Sequence, residues 1–301
     1  MQARSAAPII RGLKTMSTAR SGTSRWGLVL ARPPHLLISE PFYTEFVDGV
    51  EEAFLGTGAV LVVRLVTSTA KELDVYRDWA TTGFVEGVLL VNAQADDPRP
   101  ALLRELGLKG VMAGAEEPVP GLGCVRAANA TPAFAVIERL AGMGHTVVAR
   151  VSGPRALLHT RVRDEACRRA AERHGVDLSI VPGEYTAKSG EEATLSLLTR
   201  TDRSRPTAIV FDNDTMALAG LHSAGEAGIA VPDELSIVAW DDSPACELAN
   251  PPIAAVAVDV HEFGRLAGQC ALTEDPASAP VLSEPPYHWI PRASVGAAPG
   301  R

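Results

Sequence analysis

The sequence predicts an α/β protein with two mostly parallel sheets of about five strands each. Short apolar runs alternate along the chain with segments of helical periodicity, which is the order of βαβ units in a doubly wound fold. The runs are mostly continuous, as expected for strands covered on both faces. The predicted strands are 26–31, 60–66, 85–91, 109–114, 146–152, 178–183, 207–212 and 235–242, with "YHWIP" near the C-terminus as a further candidate.

Two of the intervening segments carry clear helical signals. The first follows Pro41, which suits an initial helical position, and it places apolar residues on one face at Phe42, Phe46, Val50 and Phe54. The second ends near Gly228, a residue type that suits a helix C-terminus. Its apolar face consists of Met216, Ala217, Gly220, Leu221 and Ala224.

Composition indicates a cytoplasmic globular protein. The chain has 301 residues, of which 46% are hydrophobic and 21% charged, and this length suggests about two domains. A net charge of -8 gives no general attraction to nucleic acid or to an anionic membrane. The four cysteines are scattered without metal-ligand spacing, which favours a reducing compartment and no zinc site. The sequence contains no apolar stretch of membrane-spanning length and no secretory signal.

Polar or aromatic residues follow most of the predicted strands. In open α/β sheets, ligands bind beyond the carboxyl ends of the strands. Acids, amides, guanidiniums and aromatic rings at these ends suit a polyhydroxylated ligand, because they pair with hydroxyl groups and cover the apolar side of a sugar ring. The residues are Glu40, Phe42, Tyr43, Asn92, Asn129, Arg161, Arg163, Glu184, Tyr185, Asp212, Asn213, Asp214, Asp241 and Asp242.

Each of these positions also has a purely structural interpretation. Residues 212–214 are suited to cap a helix, and residues 241–242 are suited to a turn before Ser243-Pro244. Arg163 lies in a charged helical segment, and Tyr185 is of a type that often packs in a core. An enzyme that uses Asp212, Asp214, Asp241 and Asp242 as acids or metal ligands remains an alternative. The sequence contains no catalytic motif, no metal-ligand set and no cofactor motif to support it.

Several segments, in order, resemble one family. These are "RSGTSRWGLVL", "SEPFYTEFVDGVEEA", "VEGVLLV", "RLAGMGHTVVARVSG", "TRVRDEACRRA", "GEYTAKSGEEA", "RPTAIVFDNDTMALAGLHSAGEAGIAVPDELSIVAWDD", "LANPPIAAVAVDVHEFGRLA" and "YHWIPRAS". From about Arg20 to Ser294, the chain resembles the effector-binding domain of LacI/GalR-family transcriptional regulators. That domain is itself similar to type I periplasmic sugar-binding proteins.

The resemblance implies two Rossmann-like lobes with parallel sheets, joined by three crossovers. Residues 1–24 would be a flexible arm or hinge remnant. The N-terminal lobe would comprise residues 25–126 and about 259–276, and the C-terminal lobe residues 127–258 and about 280–295. The family usually binds sugars and sometimes nucleosides or nucleobases, and its members form homodimers.

Carried over by position, the resemblance implies seven ligand-binding residues, no catalytic residue and no metal. They are Phe42, Tyr43, Asn129, Arg163, Tyr185, Asn213 and Asp241. Asp214 is expected to cap the helix that starts at Thr215, and Asp212 has no assigned role.

The chain departs from the family in places. Glu40 stands where an asparagine is usual, and Val258-Asp259 replaces Gln-Pro. No helix-turn-helix is visible, although family members read DNA through one. We expect a ligand-sensing, dimerising domain that controls DNA binding allosterically, with DNA contacted only through a helix-turn-helix that is not visible in this chain. A ligand binder that does not bind DNA remains open. The alternative from another class is a sugar solute-binding protein of a transport system.

Overall fold

The computed structural model describes residues 23–31, 41–200 and 204–300. These residues form two α/β lobes, each built on a six-stranded sheet, so the predicted fold class is confirmed. The predicted arm lies outside the described residues except for its last two positions. Ser24 already belongs to the first strand, where it pairs with Ala59.

The first lobe is formed mainly by the N-terminal part of the chain. Its parallel sheet has the strand order β11-β5-β4-β3-β1-β2. Its elements are β1 (Ser24–Ala31), α1 (Pro41–Phe54), β2 (Ala59–Val66), α2 (Thr69–Thr82), β3 (Gly87–Leu90), α3 (Arg99–Leu106), β4 (Lys109–Ala115), β5 (Gly123–Arg126), α9 (Val260–Ala271), a 3₁₀ turn (Pro276–Ser278) and β11 (Leu282–Ser283).

The second lobe has the strand order β12-β10-β9-β8-β6-β7. Only its last strand, β12, runs antiparallel to its neighbour. The elements are α4 (Ala130–Gly142), β6 (Val147–Ser152), α5 (Leu158–His174), β7 (Asp177–Pro182), α6 (Ala187–Leu198), β8 (Ala208–Phe211), α7 (Asp214–Glu226), β9 (Ser236–Trp240), α8 (Pro244–Leu248), β10 (Ala254–Ala257) and β12 (His288–Ile290).

The chain passes between the lobes three times, at residues 127–129, 258–259 and 284–287. The third crossing comes later than the predicted return to the second lobe at about residue 280. Leu282 and Ser283 still pair with Val125 and Arg126 of β5, so they extend the edge of the first sheet. The three crossings place the carboxyl ends of both sheets next to each other.

The apolar stripe predicted for α1 packs closely against α9. Phe46, Val50 and Phe54 are buried, and the Phe46 ring lies 5.5 Å from that of Phe263. A Cβ atom on Gly264 would collide with the carbonyl oxygen of Phe46, so only glycine permits this approach of the two helices. The two helices therefore form one closely packed layer, and residues of both line the cleft between the lobes.

Two strand predictions were wrong or incomplete for physical reasons. The run 60–66 was expected to be covered on both faces, but β2 is the edge of its sheet, and Val60 and Val63 are each 39% exposed. Strand β10, "AAVA", was not predicted, because alanine has a low intrinsic preference for strands. All four of its residues are buried, since it lies between β9 and β12.

Candidate functional site

A cleft of about 1070 Å³, which includes its open mouth, lies between the two lobes. Strand ends from both sheets and all three crossings contribute to it, as expected for a ligand site in open α/β sheets. The structure brings all seven sequence-predicted residues to its walls: Phe42, Tyr43, Asn129, Arg163, Tyr185, Asn213 and Asp241.

The wall formed by the second lobe is organised around Asp212, to which the sequence assigned no role. Asp212 follows β8, and its carboxylate is fully buried. It accepts hydrogen bonds from Arg150 Nη2 at 2.8 Å, from Arg163 Nη1 at 2.9 Å and from the Gly153 amide at 2.9 Å. Burial opposes ionisation, but the two guanidiniums hold the pKa of Asp212 well below its usual range. Asp212 is therefore a structural carboxylate, held ionised.

Arg150 completes this network from inside β6. Its side chain has no exposed surface, and its Nε atom donates to Asp164 Oδ1 at 2.8 Å. Two arginines and two aspartates thus form a buried set whose formal charges cancel. The sequence did contain a signal for it, because an arginine inside the apolar run "TVVARVS" requires a buried partner for its charge.

Arg163, on α5, reaches from this network into the cleft. Its Nε atom donates to Asn129 Oδ1 at 2.8 Å, and its guanidinium lies 3.9 Å from the centre of the Trp240 ring. Within the described part of the chain, Nη2 makes no hydrogen bond. The hydrogen bonds to Asp212 and Asn129 and the contact with the Trp240 ring therefore fix the guanidinium. Its Nη2 donor is left for the cleft.

Tyr185 forms a second fixed part of this wall. Its backbone adopts a φ of 60°, and its hydroxyl lies 3.2 Å from Asp212 Oδ2 and 2.8 Å from His159 Nε2. The two rings stack with centroids 6.4 Å apart. A Cβ atom on Gly153 would collide with the Tyr185 hydroxyl. Burial raises the pKa of Tyr185, so the ring presents a neutral surface.

Asn213, and not Asp214 as expected, caps α7. Its Oδ1 accepts from the Met216 amide at 2.9 Å, and its Nδ2 donates to the Tyr185 carbonyl at 3.3 Å. Asp214 is the first residue of the helix, and its carboxylate accepts from Thr215 N at 2.6 Å. Both residues line the cleft, but the Asn213 amide has only one N–H left for a ligand.

Asp241 lies opposite Arg163 at the end of β9, and the acid next to it has a separate role. Asp241 is half-buried with a φ of 66°. Burial raises its pKa from an ordinary 3.8 to about 7, against the opposing charge of Arg163 and with repulsion from Asp214. Asp242 instead forms a two-pronged ion pair with Arg292, at 2.6 and 2.9 Å.

The wall formed by the first lobe is mainly aromatic and aliphatic. Phe42 packs edge-on against Tyr43 with ring centroids 5.4 Å apart. The Tyr43 hydroxyl accepts from Asn92 Nδ2 at 2.6 Å. Other residues of this wall include Val91, Ala113, Val260 and Phe263. The cleft thus has one apolar side and one side of polar and charged groups.

Glu284 is a cleft residue that sequence reasoning missed. It lies in the third crossing, directly after β11, a two-residue strand with no sequence signal of its own. Its Oε1 accepts from the Ala128 amide at 2.7 Å. Burial raises its pKa to about 7. The crossing therefore brings a second titratable acid to the cleft.

The described part of the chain has neither a metal-ion site nor a membrane-spanning helix. Among residues 23–31, 41–200 and 204–300, no three histidine, cysteine or acidic side chains are placed to hold a metal ion. In the same ranges, no helix combines the length and the apolar character needed to cross a membrane.

Known proteins are similar to this chain in both fold and sequence. The family described as "Periplasmic binding protein-like domain" matches residues 137–295. The transcriptional regulator CelR of Thermobifida fusca is 30% identical over 261 residues, which are 85% of this chain and 75% of CelR. The crystal structure of a LacI family transcriptional regulator from Bifidobacterium animalis is 35% identical, with a TM-score of 0.83, and the match covers 92% of this chain and all of that one.

A structure described as a CelR–cellobiose complex matches with a TM-score of 0.82 and 27% identity, over 91% of this chain and 85% of that one. Fold and cleft together define a two-lobed protein of the periplasmic-binding-protein type. The chain belongs to the LacI family of transcriptional regulators, as the resemblance implied, and it contains that family's effector-binding fold. The expectation of a regulator rather than an enzyme is confirmed by these relatives.

Replacement of Asp212 by asparagine is expected to destabilise the fold. The substitution leaves Arg150 and Arg163 buried with one counter-charge between them, and breaking such a pair costs about 3–5 kcal/mol. Urea unfolding measures this as a lower midpoint. The matched control is Asp74→Asn, which removes an exposed ion pair with Arg77 worth about 0.5 kcal/mol. Equal midpoints for the two variants would show that the network is not coupled to the fold.

Asp241→Asn is expected to stabilise the free protein in a pH-dependent way. Folding raises the pKa of the Asp241 carboxyl from 3.8 to about 7. The contribution of this carboxyl to the stability of the wild type is therefore favourable at low pH and is lost as the pH rises from 3.8 to about 7. The variant and wild type should unfold alike at the acid end, and the variant should be more stable above it. The gain in unfolding free energy is at most about 1.4 kcal/mol per tenfold change in proton affinity. The real gain is smaller than this bound, because the carboxylate is partly solvated. A constant difference across the window would contradict the raised pKa.

Proposed function

We propose that this chain is the ligand-sensing unit of a LacI-type regulator in the cytoplasm, and that it binds a small sugar-like effector in the cleft between its lobes. The observation that carries the proposal is the pairing of unlike walls. Phe42 presents an apolar ring from the first lobe, whereas Arg163 and Asp241 present polar groups from the second. A sugar ring has an apolar C–H face and a rim of hydroxyls, and it matches both walls.

Three of the sequence-predicted residues have ligand-directed groups in this proposal. Arg163 offers Nη2 to a ligand oxygen, Asp241 accepts from hydroxyl groups, and Phe42 covers the ring face. Asn129 and Tyr185 support them, since one orients the Arg163 guanidinium and the other accompanies Asp212. Asn213 contributes its remaining N–H, and Tyr43 its ring. A sugar is also the ligand named for the CelR complex, a relative of similar fold.

Binding would act through the relative orientation of the lobes. A ligand that contacts both walls favours the arrangement in which both contacts form, and it shifts the population toward that arrangement. In a dimer with a DNA-binding headpiece, such a shift would change the affinity for DNA. By thermodynamic reciprocity, bound DNA would change the affinity for the ligand by the same coupling free energy.

The second part of the proposal is a homodimer that uses the edge of the first lobe. Strand β2 presents an unpaired edge, and Val60 and Val63 are each 39% exposed on it. Leu55, at the end of α1, is 76% exposed. Apolar residues clustered at an open strand edge favour association with another chain.

Arg163→Lys is expected to weaken effector binding by about 10- to 100-fold, because one hydrogen bond from a charged donor is lost, worth about 1.5–3 kcal/mol. Lysine keeps a positive charge near Asp212 but lacks the planar fork. Calorimetric titration with sugars and nucleosides measures the loss. The matched control is Arg161→Lys, since Arg161 lies on the same helix and is exposed. Equal affinities for both variants would place the ligand elsewhere.

The homodimer is tested by the double variant Val60→Lys, Val63→Lys. Two desolvated charges at the interface should shift the sedimentation coefficient of the protein from that of a dimer to that of a monomer. Leu195→Lys on α6 is the control, because Leu195 is similarly exposed, at 42%, but lies in the second lobe. A dimer that survives the double change would exclude this surface.

A further inference from the structure

Among the described residues, the cleft is lined by more carboxylates than its arginines neutralise. Asp212 is neutralised by Arg150 and Arg163 within the buried network, where Asp164 offsets the second guanidinium. Asp242 is neutralised by Arg292. Besides the exposed Glu45 of α1, three less accessible carboxylates line the same cleft: Asp214, Asp241 and Glu284. Within the described part of the chain, none of the three is in an ion pair.

The hydrogen bonds of these three carboxylates leave most of their acceptor capacity free. Among the described residues, Asp214 accepts only from the backbone and hydroxyl of Thr215, and Glu284 accepts from the Ala128 amide. The Asp241 side chain makes no hydrogen bond to any described residue. An ionised carboxylate has about four acceptor sites, so this group of acids favours a ligand rich in donors.

Two deeply buried side chains show that this is a built site rather than a patch of surface acids. Arg163 and Asp214 are only 8% and 7% exposed, yet both line the cleft. The Nη2 edge of Arg163 has no partner among the described residues. Since Asp212 already offsets the Arg163 charge, Arg163 acts toward a ligand as a directional donor and not as a surplus cation.

Resting on the function proposed above, we infer that the cleft selects a ligand that carries a protonated amine beside its hydroxyl groups, an amino sugar, and rejects phosphorylated and carboxylated sugars. An ammonium group supplies the counter-charge that Asp214, Asp241 and Glu284 lack, and it donates up to three hydrogen bonds. An anionic ligand would instead bring a further charge of the same sign into a site with little water.

The protonation of the free cleft agrees with this selection. Burial raises the pKa of both Asp241 and Glu284 to about 7. Asp241 faces Arg163, Asp214 and Asp212, and Glu284 faces Arg163, Glu116 and Asp241. Near neutral pH the empty cleft therefore holds bound protons, and an ammonium ligand would displace them into the buffer.

Calorimetric titration with matched sugars tests the inference. On each of several scaffolds, the probes are the parent sugar, its 2-amino form, its N-acetylated form, its 6-phosphate and its uronic acid. On a scaffold that binds, the amino form is expected to bind at least tenfold more tightly than the parent and the N-acetylated form, and the two anionic forms should give no heat. Titrations in buffers of different ionisation enthalpy should show release of protons.

The inference is overturned if the parent, the N-acetylated form or an anionic form binds as tightly as the amine, or if binding takes up protons. In those cases the cleft still binds a sugar and the proposed function stands. If no form of any scaffold and no nucleoside binds, the proposed function itself fails, and the inference fails with it.

Asp241→Asn separates charge recognition from simple loss of a hydrogen bond. Asparagine tolerates a positive φ and still offers an acceptor, but it carries no charge. Both ligands lose a charged acceptor for a hydroxyl group, but affinity for the amino sugar should fall at least tenfold further than affinity for the neutral parent. The control is Asp233→Asn, an exposed acid outside the cleft. An equal loss for both ligands would overturn the role of the charge.

Discussion

The buried carboxylate of Asp212 is the interaction on which the cleft depends. It joins Arg150 in the middle of β6, Arg163 on α5, the Gly153 backbone and the Tyr185 hydroxyl. Removal of any one charge of the network leaves another charge buried without its partner in a medium of low polarity. The net stability gained from such a network is small, because desolvation offsets the attraction. Its effect is to fix one geometry, in which Arg163 and Tyr185 stand at set positions on the wall.

This fixed wall explains the asymmetry of the cleft. The polar groups of the second lobe have rotamers that are already set by hydrogen bonds and by stacking on Trp240, so a ligand bound as proposed would cost them little conformational entropy. The first lobe contributes Phe42, which is only half-buried, and an aliphatic floor. A ligand held by the rigid polar wall and covered by the apolar wall couples the two lobes, as a sensor of lobe orientation requires.

Much of the fold, but less of the site chemistry, is predictable from the sequence. Continuous apolar runs such as "TAIVFD" predict buried parallel strands, because burial on both faces needs no polar alternation. Strand β10 escaped prediction because its four residues depend on neighbouring strands rather than on their own propensity. The sequence likewise could not show that Asn213 rather than Asp214 caps α7. Both residue types cap helices, and only the tertiary contact of Asn213 with the Tyr185 carbonyl decides between them.

The same limit applies to charge, which is why the acid-amide-acid sequence 212–214 was ambiguous. The sequence reveals which acids are present but not which of them are neutralised by an ion pair. Asp212 and Asp214 are two residues apart, yet Asp212 is paired with arginines and Asp214 is in no ion pair among the described residues. Asp212 accepts hydrogen bonds from two arginines that lie 62 and 49 positions away in the chain, whereas the hydrogen bonds of Asp214 to described residues come from its neighbour Thr215. The charge that a ligand encounters is the remainder after such long-range pairing. The charge on the wall of this cleft therefore depends on ion pairing behind the wall as much as on the residues that line it.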